Sequence, residues 1–541
     1  MATLTNHLTG LDTKTMFRTV AYGRHVLNGF LAKSIVTGSS SSFQITVQQI
    51  LGRDEWDAIE SVYWNNLSIP ASDWVAHLGK LTTGNDDPDQ GVDTVFDTDV
   101  PHNLTPWLRA VLPTNVGEFD TKGSPPTGLQ AYARTKKIND YDDEGNVIGY
   151  GYSANPARIV ADLILRQGRR SPDLIDWPAW VAWRDFCDVL ETADYTTLTD
   201  FDGFGLTAKY YNGVDFDTFI TSRVDTTINY PESYGAPAYG LTASYFSARY
   251  EGFIKPKYSE TYTIYLDHDD GARLWIDGNL IIDQWATVNE HTATVALTAN
   301  HYHDIKIEWF GAVAPSRLLL EWSSTSEPRK IVPSKVLYPL AEDVPAYEAH
   351  VFFAAPTRLD DAVRTVLNLC NSTVQKVNGK YRFFCFEQIT ESSFDFTEEN
   401  IKSIVAKPRD KVSIRNSFSG EFRDLRSRFL EKPLKPFVVE KSNLIDLAGR
   451  IISGQDYQLF NMTRWQAYKV LTKFAARECD TLPIDITGNA STFPVLPGDR
   501  VTVTSEIYDW VNKEFLVLTA NDSSAEETAD ERTFTLIEWV D

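Results

Sequence analysis

Residues 240–285 read GLTASYFSARYEGFIKPKYSETYTIYLDHDDGARLWIDGNLIIDQW, and this stretch decides how the surrounding chain is organised. Tyr262, Ile264 and Leu266 alternate with Thr261, Thr263 and Tyr265. Leu274 and Ile276 resume the same period of two after Gly271, so both runs are strands with one apolar face each. Between them, Asp269-Asp270-Gly271 predicts the tip of a β-hairpin. Two adjacent carboxylates at such a tip either shape the turn, with Gly271 at positive φ, or hold a hard, oxygen-seeking cation such as calcium.

The strand pattern continues outward. GLTAKYYNG (205–213), VDTTINY (224–230), ALTANHYHDIKIEWFGAVAPSRLLLEW (296–322) and IVPSKVLYP (331–339) alternate in the same way, with turns at short spacing and no helical period. Together they predict a β-sandwich over residues 201–341.

On the N-terminal side, residues 18–70 read as sheet-forming strands, with Phe43, Ile45 and Val47 alternating against polar neighbours. The acidic run from Asn85 to Asp99 lacks the ordered ligand spacing of a calcium loop and reads as solvated. Residues 129–153 form a hairpin turning at Asp142–Asn146. Two helices follow, one capped by Asn155 with Pro156 in its first turn, the other opening at Asp176-Trp177-Pro178 and carrying Trp180, Trp183, Phe186 and Cys187.

On the C-terminal side come a strand at Ala349–Phe353 and a helix with Ala362, Val366 and Leu369 along it. A hairpin turns at Asn378-Gly379, a helix carries Ala467, Val470 and Leu471, and paired strands end the chain. The expected class is therefore mainly β with a few helices, an α+β chain with its sheets or barrels interrupted by an inserted β-sandwich. The divisions are 1–200, 201–341 and 342–541.

At 541 residues the chain is too long for one core. Its formal net charge of −23 excludes the basic stripe that a nucleic-acid grip requires. No apolar run is long enough to span a bilayer, and MATLTNHLTGLDTKTMF lacks a basic region followed by an apolar core, so synthesis in a cytoplasm is expected. Cys187, Cys370, Cys385 and Cys479 are widely spaced in apolar patterns and read as buried thiols. His301 and His303 share one face of a strand pattern and read as a solvated face rather than a metal pair. No protease, hydrolase or phosphate-binding motif occurs, so no catalytic residue is assigned and no enzyme is expected. Trp275, Trp285, Trp309 and Trp322 either stack on a sugar or fill the core.

Residues 201–341 resemble the protective-antigen fourteen-kilodalton module, on the run YFSARYEGFI, YTIYLDHDDGARLWIDGNLIIDQW, HDIKIEWF, LLLEW and IVPSKVLY. In the flocculin branch of that family, adjacent acids hold calcium that in turn binds a glycan. The resemblance places both metal and sugar contact on Asp269 and Asp270, with calcium as cofactor. The second sugar-contacting loop falls near Gly311–Ser316, where AVAP offers no acidic or amide side chain.

The flanks resemble siphophage tail-tip proteins of the lambda host-specificity family, related to gene-transfer-agent hubs. AYGRHVLNG (21–29), ILGRDEWDAIESVYWNN (50–66), GYSANPARIVADLIL (151–165), FCDVLE (186–191) and FPVLPGDRVTVTS (493–505) carry this resemblance. It implies a structural hub that closes the distal end of a tail tube as a homotrimer and sits in the virion. The implied partners are distal tail, tail-tube and tape-measure proteins, tail fibres, and a host-surface glycan or receptor. The competing expectation is a glycan-degrading enzyme that uses the sandwich as a binding module.

Overall fold

The computed structural model describes residues 129–198, 201–233, 244–353, 357–388, 391–407, 417–425, 430–438, 453–480, 483–522 and 530–539, with 236–238, 241 and the strand segments before residue 113. The chain is mainly β with a few helices. Among the described residues the α-helices are Pro156–Asp162, Trp177–Asp188, Leu359–Leu369 and Arg464–Asp480. The acidic run from Asn85 to Asp99 and the Cys479 side chain lie outside the described residues.

Local chemistry explains the helices. The Asn155 side chain accepts from the Ala157 N–H at 2.9 Å, and Pro156 occupies the first helical position, where no N–H is needed. In the next helix, Trp180, Trp183 and Cys187 are fully buried at helical spacing. Trp183 stacks on Phe383 at 5.3 Å and donates to Ser372 Oγ at 2.9 Å, which fixes the helix on the Lys380–Cys385 strand. That strand forms a hairpin with Ser372–Val377, and the turn works because Asn378 and Gly379 adopt φ of 49° and 81°. The hairpin of Leu129–Tyr141 with Val147–Tyr152 also forms.

The central stretch folds differently from its sequence expectation. Glu260–Asp269 pairs with Asn289–Leu297 and Ser316–Ser323, whereas Gly271–Ile276 pairs with Asn279–Gln284 and His303–Gly311. The two strands belong to different sheets, so Asp269-Asp270-Gly271 is a crossing between the layers of a sandwich and not a hairpin tip. Gly271 is not in the left-handed region. A Cβ there would lie 2.4 Å from both the Trp285 carbonyl oxygen and Phe310 Cε1, so the glycine serves close approach.

One layer has the order 218–225, 206–212, 246–254, 303–311, 271–276, 279–284, with 337–339 added to 246–254. The other runs 229–233, 316–323, 260–269, 289–297, with 330–331 added to 316–323. Their inner faces share one core, including Tyr262, Leu266, Leu274, Ile307, Trp309 and Leu320.

Strands on either side of the sandwich pair with each other. Leu190–Ala193 lies antiparallel to Glu342–Pro345, and Val20–Tyr22 lies antiparallel to Val351–Phe353. A second core joins Tyr22, Trp180, Trp183, Tyr347, Val366, Phe383 and Val470, drawing on residues from both sides of the sandwich. At the sandwich base, Tyr195, Phe201, Phe204 and Tyr338 pack against Trp465 and Tyr468 of the Arg464–Asp480 helix.

Candidate functional site

The crossing from one sheet to the other brings Asp269 and Asp270 to one end of the sandwich. Asp269 ends a strand whose rung partner there is Arg317, and the peptide to Asp270 is cis. Asp270 is held by backbone on both sides of its chain. Its N–H donates to the Phe310 carbonyl at 3.0 Å, and its Oδ2 accepts from the Ala312 and Val313 N–H groups at 2.5 and 3.2 Å. The Gly311–Ser316 loop therefore does reach the acid corner, but through main-chain N–H groups that no search for acidic or amide side chains would find. Its Ala314–Pro315 bond is also cis.

Two further residues fix the carbonyls of the corner. Trp309 Nε1 donates to the Asp269 carbonyl at 3.0 Å, and the buried His268 bonds the Asp270 carbonyl through Nδ1 at 3.0 Å. His268 Nε2 lies 3.2 Å from His291 Nδ1, and burial lowers the His268 pKa. Beneath the loop, Ser316 Oγ is buried, has no hydrogen-bond partner among the described residues and lies against Gly311.

The electrostatics suit a hard cation. Burial first, and then the adjacent Asp270 carboxylate, raises the Asp269 pKa, as expected for crowded negative charge. Arg317, the rung partner of Asp269, is already paired with Asp267 at 3.0 Å. Among the described residues no three His, Cys, Asp or Glu side chains gather into a metal-binding group. A cation here would take carboxylate oxygens from Asp269 and Asp270 and complete its shell with main-chain or ligand oxygens.

The other candidates separate. Trp309 and Trp322 are core, 1% and 2% exposed. Trp275 carries the Lys306 ammonium 3.7 Å from its ring centre, and Trp285 packs between Phe310 and the Arg273 guanidinium. His301 lies before the strand and not on its face. His303 is buried rather than solvated; its Nε2 accepts from the Thr298 N–H at 2.9 Å and its Nδ1 donates to Asp277 at 2.7 Å. Cys187, Cys370 and Cys385 are free, buried thiols.

Comparison with known proteins gives the class of the sandwich first: residues 204–335 match the PA14 domain family. The chain is also similar to the anti-sigma-I factor RsgI3 of Acetivibrio thermocellus, 37% identical over 233 residues that make up 41% of this chain and 36% of that protein. The chain thus spans about a third of the curated relative's length. A solved anti-sigma factor domain-containing protein is 40% identical over 25% of this chain and 49% of its own, with a TM-score of 0.25. A native gene transfer agent virion covers 97% of this chain and 85% of its own at 8% identity, with a TM-score of 0.43.

These findings overturn the tail-hub expectation. The relative with substantial identity is an anti-sigma-I factor, while the virion likeness is too slight to carry an argument. The expected virion location and cytoplasmic assembly fall with the hub. So do the homotrimer, the tail, tape-measure and fibre partners, and the host-surface glycan or receptor. The glycan-degrading alternative finds no support in this relative. The physical reason is that the flanking motifs consist largely of turn, cap and core residues such as Asn155, Pro156 and Cys187, which report packing and not role.

Proposed function

We propose that this chain is a carbohydrate-contacting protein without catalytic activity, in which a PA14-type sandwich holds calcium on Asp269 and Asp270 and offers the remaining coordination positions to sugar hydroxyls. The division 1–200, 201–341 and 342–541 belongs to this proposal. The observation that carries it is the sheet-crossing corner, where Asp270 is cradled by the Ala312 and Val313 N–H groups beside a second carboxylate of raised pKa. Bound calcium would supply Lewis-acid attraction for vicinal hydroxyls. The chain itself positions the two carboxylates, fixes their carbonyls through Trp309 and His268, and neutralises Arg317 with Asp267.

The test is a glycan array probed with the full chain, with calcium and with chelator. Binding is expected only with calcium and is expected to disappear in Asp270→Asn, which keeps an acceptor for the loop N–H groups. Binding indifferent to calcium and to this substitution, or no binding at all, would defeat the proposal.

A second reading rests on the 37% identity to an anti-sigma-I factor: the chain engages a sigma factor and the sandwich acts as its sensing module. Titration of the full chain with the sigma-I factor of Acetivibrio thermocellus is expected to give a complex of micromolar affinity or tighter on this reading. Absence of a complex removes it.

A further inference from the structure

Two histidines meet near the end of the paired strands Glu260–Asp269 and Asn289–Leu297, where the last rungs join Leu266 to His291 and His268 to Asn289. His268 and His291 are diagonal neighbours on one face of that ladder, so their rings come together. The ring centroids are 5.2 Å apart with 25° between the planes, and His268 Nε2 faces His291 Nδ1 at 3.2 Å. The Asn289 carbonyl oxygen lies 3.2 Å from the same Nδ1.

The hydrogens are too few for this gathering. His268 Nδ1 lies 3.0 Å from the Asp270 carbonyl, which can only accept, so Nδ1 carries the hydrogen and Nε2 of the neutral ring presents a lone pair. The Asn289 carbonyl also only accepts. The His291 Nδ1–H is thus shared between two acceptors. In His25 and His303, by contrast, each ring nitrogen has a partner of its own. Asn289 has a φ of 100°, a conformation that costs a residue with a Cβ, and its carbonyl is the one that closes on His291.

We propose that His268 Nε2, His291 Nδ1 and the Asn289 carbonyl form a binding site for one borderline divalent cation, Cu2+, Ni2+ or Zn2+, which takes the place of the shared hydrogen. Two nitrogens bound to one tetrahedral ion at about 2.0–2.1 Å stand about 3.3–3.4 Å apart, close to the separation found. On loading, His291 moves its hydrogen from Nδ1 to Nε2, so the ring stays neutral and no proton is released. Imidazole nitrogens suit these ions, whereas calcium takes oxygen ligands. The bond from His268 Nδ1 to the Asp270 carbonyl is the outer contact that fixes the tautomer and orientation of a metal-bound imidazole. His268 is fully buried and His291 is half-buried, so the ion enters from the His291 side and keeps its remaining positions open there. This site is distinct from the two carboxylates and does not rest on the carbohydrate reading.

The test is calorimetric titration of the full chain, without an affinity tag, with CuCl2, NiCl2 and ZnCl2 at neutral pH and with calcium chloride present throughout. Binding is expected with Cu2+ held most tightly, the general order for such ligands. Electron paramagnetic resonance of the Cu2+ form is expected to show two imidazole nitrogens on the ion. His291→Ala is expected to weaken Cu2+ binding at least about tenfold while the metal-free chain melts as before. His291→Gln fills the space better and is expected to lose the same affinity, which separates coordination from packing. Asp270→Asn leaves Cu2+ binding in place, so this site and the carbohydrate reading fail or stand separately. No binding of any of the three ions, displacement by calcium, or undiminished binding in both His291 variants overturns the proposal.

Discussion

At the residue scale, His25 shows how little of a side chain's state is written in its neighbours in sequence. Its Nε2 donates to the Tyr22 carbonyl at 2.8 Å, and its Nδ1 accepts from Asn461 Nδ2 at 2.8 Å, a partner more than four hundred residues away. Burial, the largest influence, lowers its pKa to about 3; the nearby His350 and Arg423 act in the same direction, and backbone bonds oppose them. Because the folded pKa lies below the unfolded value of about 6.5, the unfolded chain takes up the proton first. The stability tied to a neutral His25 is present above about pH 6.5 and is lost as pH falls toward 3. Urea unfolding at stepped pH is expected to show this loss, and His25→Gln is expected to lessen its slope by up to about 1.4 kcal/mol per pH unit. An unchanged slope would contradict the assignment. Asp269 and Asp270 were legible as the candidate site because adjacent acids are visible in any reading. The N–H groups of Ala312 and Val313 were not, since every residue but proline carries one.

At the scale of elements, the alternation of Tyr262, Ile264 and Leu266 gave the strand correctly, and Asn378-Gly379 gave its hairpin, because both signals are local. The Asp269-Asp270-Gly271 corner differs from the hairpin its sequence predicts because alternation says which face of a strand is apolar but not which strand it joins. That choice was made by Asn289–Leu297 and His303–Gly311, which claim the two sides of the corner for different sheets. The same sheets are tied by a polar cluster that alternation also conceals. Asp225 Oδ2 accepts from the hydroxyls of Tyr210 and Tyr230, Arg223 Nε bonds Asp225 Oδ1 at 2.5 Å, and Tyr250 approaches Tyr210 at 3.3 Å. Tyr210 and Tyr230 come from opposite layers. Burial pushes the Tyr230 phenol up to about 12, so it remains a donor at neutral pH. Asp225→Ala strips the acceptor from these donors and from a partly buried guanidinium, and is expected to destabilise the sandwich by about 3 kcal/mol. Thermal denaturation checks it, and a shift of under one degree would show that the cluster is not a tie between layers.

At the scale of the whole molecule, the mainly-β class followed from composition and period, whereas the role did not. Motifs such as GYSANPARIVADLIL resolve into a cap, a first-turn proline and buried apolar positions, with Asp162 closing on Lys136 at 2.7 Å in the core. Residues of this kind recur wherever a helix must seat on a sheet, so their order resembles a family without fixing an activity. The antiparallel pair of Leu190–Ala193 with Glu342–Pro345 has a different kind of meaning. Chain entering and leaving the sandwich passes through adjacent rungs, with Ala193 facing Glu342 about 5 Å apart. A gap that narrow can be bridged by a two-residue turn, so everything between those rungs is topologically dispensable to the register of the remainder. Recognition and scaffold can then change at separate rates: a different module grafted onto the same two rungs inherits the same mount, and the aromatic seat formed by Trp465 and Tyr468 becomes the surface that any replacement has to fit.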